Sequence, residues 1–155
     1  MADLYSRTEP EHPQPSLRVS SSAGIDRAER TVVLAHRTDS SPEVLRAGIE
    51  AAEHLGAALR VVHYAHDMTA GPTAEPEMIQ RIKELSRPIL EAGLEFEIQR
   101  AGDGVADQVL GLAEDHAARL IVLAVRRRSP LMKLFLGSSA QRILLEATCP
   151  VLTLR

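Results

Sequence analysis

The sequence predicts an α/β fold in which a five-stranded parallel sheet is sandwiched by four helices. From Thr31 onward strand and helix signals alternate, and strands joined through helices lie parallel with right-handed crossovers and helices on both faces. With 155 residues and 45% hydrophobic content, the chain fills one full-sized core and is too short for two. The domain is therefore read as residues 31–155. Residues 1–30 read as a disordered, mobile N-terminal tail: Pro10, Pro13, Pro15 and the run Ser20-Ser21-Ser22 come with few large apolar side chains, too little to offset the entropy of ordering.

The elements follow in order. Thr31 to Ala35 is a short β-branched run and forms the first strand. Asp39-Ser40-Ser41-Pro42-Glu43 supplies a helix cap, a proline and an acid for the first turn, and Leu45, Ile49, Ala52 and Leu55 recur on one face before Gly56 stops the helix. Leu59 to Ala65 is the second strand. Met78, Ile82, Leu85 and Ile89 mark a second amphipathic helix, which Pro88 should kink or weaken and Gly93 should end. Leu94, Phe96 and Ile98 alternate with Glu95, Glu97 and Gln99, predicting a half-exposed third strand near a sheet edge. Gly102-Asp103-Gly104 turns into a third helix with Val105, Val109 and Leu112 inward. Leu120 to Val125 is the fourth strand, Ser138 to Ala147 the fourth helix, and Val151 to Leu154 the last strand.

The candidate site lies in the last quarter. The apolar strand ending at Val125 runs into Arg126-Arg127-Arg128, and Gly137-Ser138-Ser139 then opens a helix. A helix N-terminus has unpaired N–H groups and a positive dipole end, so strand, basic loop and Gly-Ser together describe an anion site. In such sheets ligands bind beyond the carboxyl ends of the strands, where strand order reverses. Ala35 and His36, with Arg37 next, end the first strand and belong beside it. Two plainer readings stand alongside: the three arginines as a solvated loop, and Ser138 or Ser139 as a simple helix cap.

The spacing Ala124-x2-Arg127-x9-Gly137-Ser138 resembles the Gly-x2-Gly-x9-Gly-Ser/Thr nucleotide motif of the universal stress protein family, and Thr148-Cys149-Pro150-Val151-Leu152 resembles that family's closing Cys-Pro-Val strand. Val61-Val62-His63, Gly102-Asp103 and Ala117 to Val122 extend the resemblance over roughly Thr31 to Arg155. It implies a Rossmann-like fold of the adenine nucleotide alpha hydrolase type, a homodimer, a stress-response role, and a site for ATP or a related adenine nucleotide with Mg²⁺. Gly137 and Ser138 match the motif's phosphate-contacting end. Ala124 and Arg127 stand where its first two glycines belong, and His36 stands where nucleotide-binding members carry an aspartate. Glycine lets backbone N–H groups approach an anion; arginine puts a Cβ and a long cation there. The resulting expectation is a non-catalytic family member with weakened or lost ATP binding. The alternative is a module that binds ATP or another anion through Arg126, Arg127 and Arg128 with Gly137 and Ser138.

Other chemistry finds little support. A net charge of −3, 3% aromatic residues and no Trp argue against nucleic acid. No apolar run approaches the roughly 20 residues of a membrane span, no apolar signal core opens the chain, and the lone Cys149 fits a reducing cytoplasm. Cys149, before a proline and an apolar strand, reads as a small buried hydrophobe. In His63-x2-His66-Asp67 the histidines point to opposite faces of a strand, so no metal site is expected. No nucleophile elbow or P-loop occurs, and catalysis is not expected, a slow ATPase being the remaining enzymatic reading. Val151, Leu152, Thr153 and Leu154 form an apolar terminal strand whose open edge would join two copies of the chain, and a further protein partner of unknown identity is expected.

Overall fold

In the computed structural model, residues 17–65, 75–125 and 137–155 are described. The centre of the fold is β2 (Thr31–Arg37), whose first six residues are all buried. A continuous apolar run of this kind belongs to a strand covered on both faces. It pairs in parallel with β3 (Ala58–Tyr64) on one side and β5 (Leu120–Ala124) on the other. β4 (Phe96–Arg100) extends the sheet beyond β3, and β6 (Val151–Leu154) extends it beyond β5, both in parallel. Because successive crossovers run to opposite sides of β2, strand order reverses beside it, at the β2–β5 junction.

Helices α1 (Pro42–Leu55) and α2 (Glu75–Glu91) cover one face, where Val44, Ile49, Ile82 and Ile89 pack on Leu34, Val61 and Ile98. Helices α3 (Val105–Asp115) and α4 (Ser138–Glu146) cover the other, where Val109 and Ile143 pack on Val33, Ala35 and Ile121. Pro88 lies inside α2 without ending it: the helix continues to Glu91, and the left-handed Gly93, φ 73°, follows. Gly56 stops α1 at φ 60°, and its N–H donates back to the carbonyls of Ala52 and Glu53. An L side chain at that φ is strained, so Gly56→Ala is expected to cost about 1–2 kcal/mol of unfolding free energy. Urea denaturation checks this, and an unchanged midpoint would show that the cap relaxes.

The sheet has six strands where the sequence predicts five. The sixth, β1 (Arg18–Ser21), comes from the segment read as a tail and pairs antiparallel with β4. A 3-10 turn, Ile25–Arg27, follows, with Ile25 fully buried. Residues 1–16 of that segment lie outside the described residues. One strand and one isoleucine carry this order: four residues with no periodic pattern do not register as a strand until a partner edge supplies their hydrogen bonds.

The strand near the edge, β4, is also less exposed than its alternation predicts. Glu97 is 1% exposed and faces Arg60 of β3, itself 1% exposed. Arg60 Nη1 stands 3.1 Å from Glu97 Oε2, an ion-pair contact without hydrogen-bond alignment. Arg60 Nε donates to Thr31 Oγ1 at 3.2 Å, and Nη2 donates to the Ile25 carbonyl at 3.1 Å. Arg18 reaches Glu97 from β1, and Gln99 Nε2 donates to Glu97 Oε1 at 2.8 Å. A buried charge persists when paired and hydrogen-bonded in this way.

Candidate functional site

At the carboxyl ends of β2 and β5, where strand order reverses, a cleft of ≈ 240 Å³ opens between Arg37, Asp39, Ser40, Ser41, Val44, Ala124, Val125 and Arg155. The turn after β2 builds one wall. Arg37 N–H donates to Ser40 Oγ at 3.1 Å, and Ser40 N–H donates to the Arg37 carbonyl at 3.0 Å. This closes a short loop that delivers Ser41 to the start of α1, with Pro42 in its first turn. Arg37 grips Asp39 as a two-pronged fork, Nε to Oδ1 and Nη2 to Oδ2, each at 3.0 Å. The opposite wall comes from β5 and the end of β6, held together where Val125 N–H donates to the Leu154 carbonyl at 2.6 Å. The cleft thus brings together two serines, the start of a long helix, Arg155 and the Arg37–Asp39 ion pair over apolar side chains, polar groups suited to a ligand with both a polar and an apolar part.

Immediately behind this wall lies a histidine pair. His36 and His63 are register partners on β2 and β3, and both are buried. Their Nδ1 atoms lie 3.0 Å apart, and the rings stack with centroids at 5.2 Å and an interplanar angle of 25°. At that distance one ring donates and the other accepts, which holds only while at least one is neutral. Burial pushes both down to about 4; for His36 the nearby Asp39 acts against burial, and for His63 the charges of His36 and Arg81 add to it. Nε2 of His63 is buried without a partner among the described residues. Next along β3, burial pushes the Tyr64 hydroxyl up to about 12, which removes it from proton transfer near neutrality.

The sequence-derived residues divide between several places. Ala124 lines the cleft. His36 adjoins it but turns its ring into the pair with His63. Ala35 is fully buried under α3 and α4. Gly137 and Ser138 open α4 in exposed positions and Ser139 is half-buried; none is among the residues lining the cleft. Gly137 has φ −56°, so no left-handed conformation requires glycine there. Arg126, Arg127, Arg128, His66 and Asp67 lie outside the described residues. Cys149 is half-buried, and burial pushes its thiol up, as a small packing residue requires. No group of three metal-ligating side chains occurs among the described residues, and none of their helices is long and apolar enough to cross a membrane. Sequence reasoning did not find Asp39, Ser40 and Ser41 as cleft residues, because their capping role already accounted for them. Arg155 carried no signal at all.

Comparison with known proteins agrees with this geometry. The model of the universal stress protein family matches residues 29–155. A universal stress protein of Mycolicibacterium smegmatis is 33% identical over 112 residues, which cover 70% of this chain and 83% of its own. The structure of a universal stress protein from Archaeoglobus fulgidus superposes with a TM-score of 0.63 at 28% identity, covering 81% of this chain and 98% of its own. A universal stress protein solved in complex with cAMP superposes with a TM-score of 0.58 at 25% identity, covering 83% of this chain and 98% of its own. With this match over residues 29–155, a mostly parallel sheet and the closing Cys149-Pro150-Val151, this chain belongs to the universal stress protein family.

Proposed function

We propose that the protein is a non-catalytic, homodimeric stress-response protein of the cytoplasm in which ordinary ATP binding is weakened or lost. The single observation that carries this reading is the fate of His36. Where nucleotide-binding members resemble one another in an aspartate, this chain has a ring that is neutral near pH 7, buried, and hydrogen-bonded to His63. A neutral ring engaged in this way supplies no carboxylate acceptor to a ribose. The carboxylate that does line the cleft, Asp39, has both oxygens in the Arg37 fork. With its nucleotide contacts reduced, the protein acts through its surface, on a protein partner.

A second reading rests on the other cleft groups. Arg155, Ser40, Ser41 and the start of α1 beside an apolar floor favour an anionic ligand, and the relative solved with cAMP makes an adenine nucleotide, with or without Mg²⁺, the first to try. Thermal unfolding of nucleotide-stripped protein with ATP and Mg²⁺ separates the two. A site with a dissociation constant of about 10 μM adds roughly 2.7 kcal/mol at about 1 mM ligand, a rise in Tm of about 4 °C or more. The first reading expects a shift near zero, and a full shift would replace it with the second.

The dimer is assigned to β6. Its outer edge is unpaired among the described residues, and Leu152 on it is 40% exposed. Light scattering at micromolar concentration is expected to give a dimer for the wild type and a monomer for Leu152→Lys. A dimeric Leu152→Lys protein would move the interface elsewhere.

A further inference from the structure

The two ends of the sheet differ in how they are finished. Among the described residues β6 ends one side without a further strand, whereas the outer edge of β4 is covered by β1 from the same chain. The cover has the marks of a strand that does not recruit another: it is four residues long, polar apart from Val19, and bulged between Arg18 and Ser20. Most of its attachments are polar. Arg100 N–H donates to the Leu17 carbonyl at 2.8 Å, Ser22 N–H to the Phe96 carbonyl at 2.9 Å, and Phe96 N–H to Ser22 Oγ at 2.8 Å. Arg18 bridges Glu97 and Asp26, the latter at 3.0 Å, while the Ser22 hydroxyl and the Gly24 N–H both reach Glu95, the Gly24 contact at 3.1 Å. Ile25, immediately after it, is the fully buried apolar anchor.

We propose that residues 17–24 are an intramolecular edge guard, and that the β4 edge beneath them is a latent strand-pairing interface for a second copy of this chain. The sequence of β4 is self-complementary for that purpose. In an antiparallel pair of two β4 strands centred on Ile98, Glu97 faces Gln99 of the other copy and Phe96 faces Arg100. Gln99 already donates to Glu97 within one chain, and no like charges stand directly opposite. Seated, the guard leaves β6 as the edge strand without a partner among the described residues. Displaced, it gives the sheet two open ends, and an assembly joined at both grows without closing.

The inference does not rest on the nucleotide reading, and its test is made in the Leu152→Lys background so that association through β6 does not contribute. Deleting residues 1–22 leaves Ile25 in place. At micromolar concentration the deleted protein is expected to sediment at double the mass of its full-length counterpart or more, and a peptide of residues 17–24 is expected to return it to the original mass. A folded deletion protein of unchanged mass, or association that the peptide does not reverse, overturns the proposal. Should the deletion protein lose its circular dichroism, full-length Arg18→Glu, which sets a carboxylate against Glu97 and Asp26, decides. Hydrogen exchange at the Phe96 and Arg100 amides is expected to quicken by about tenfold or more, with concentration-dependent mass; unchanged exchange and mass overturn the proposal.

Discussion

Taking the protein from about pH 7 to about pH 5 is expected to remove about 3 kcal/mol of folding stability, most of it through His36 and His63. Unfolded, each ring protonates near its ordinary 6.5; folded, burial holds each down at about 4. Between those values the unfolded state binds more protons. The stability is fully present above 6.5, drains as pH falls, and stops changing below about 4, where both states are protonated. Asp39 opposes the loss slightly by favouring a charged His36, and Arg81 reinforces it at His63. Urea denaturation across this range measures the slope. The doubly substituted His36→Leu/His63→Leu protein should have a much flatter profile, and a wild type as flat as that variant would refute the assignment.

Glu97→Leu is expected to be among the most damaging single substitutions, at about 3–5 kcal/mol, because it leaves the Arg60 guanidinium buried without its counter-charge. The reverse change should cost less. In Arg60→Met the Glu97 carboxylate keeps Arg18, which already touches it, and the Gln99 amide. The double variant Arg60→Met/Glu97→Leu replaces the pair by apolar groups of similar volume and should recover most of the loss. Chemical denaturation of the three proteins tests this order. Equal losses in the two single variants would mean that Arg18 contributes nothing to holding the carboxylate.

Most of the fold was legible because periodicity reports burial directly. The run Val32 to Ala35 could only be a covered strand, Gly56 stops α1 where its apolar face ends, and Leu120 to Leu123 repeats the first pattern. What escaped depends on partners distant in sequence. Arg60 reads as a surface residue until Glu97 is placed beside it, and Glu97 reads as the solvent side of an alternating strand until β1 covers it. Arg18 to Ser21 has no pattern of its own. Less of the candidate site was legible: Ala124, named from the motif spacing, lines the cleft, but Gly137 and Ser138 do not, and the ring of His36 turns inward for a reason that lies on the neighbouring strand.

The antiparallel docking of β1 also sets an order of events during synthesis. Arg18 is made well before Gln99, its partner across the ladder. At about 5–20 residues per second, roughly 80 intervening residues take about 4–16 s to appear. Throughout that interval Arg18 to Ser21 lacks the β4 partner it has in the folded sheet, and the antiparallel pair closes only after β4 emerges. A strand made well before its partner is thus among the later parts of the sheet to find its place.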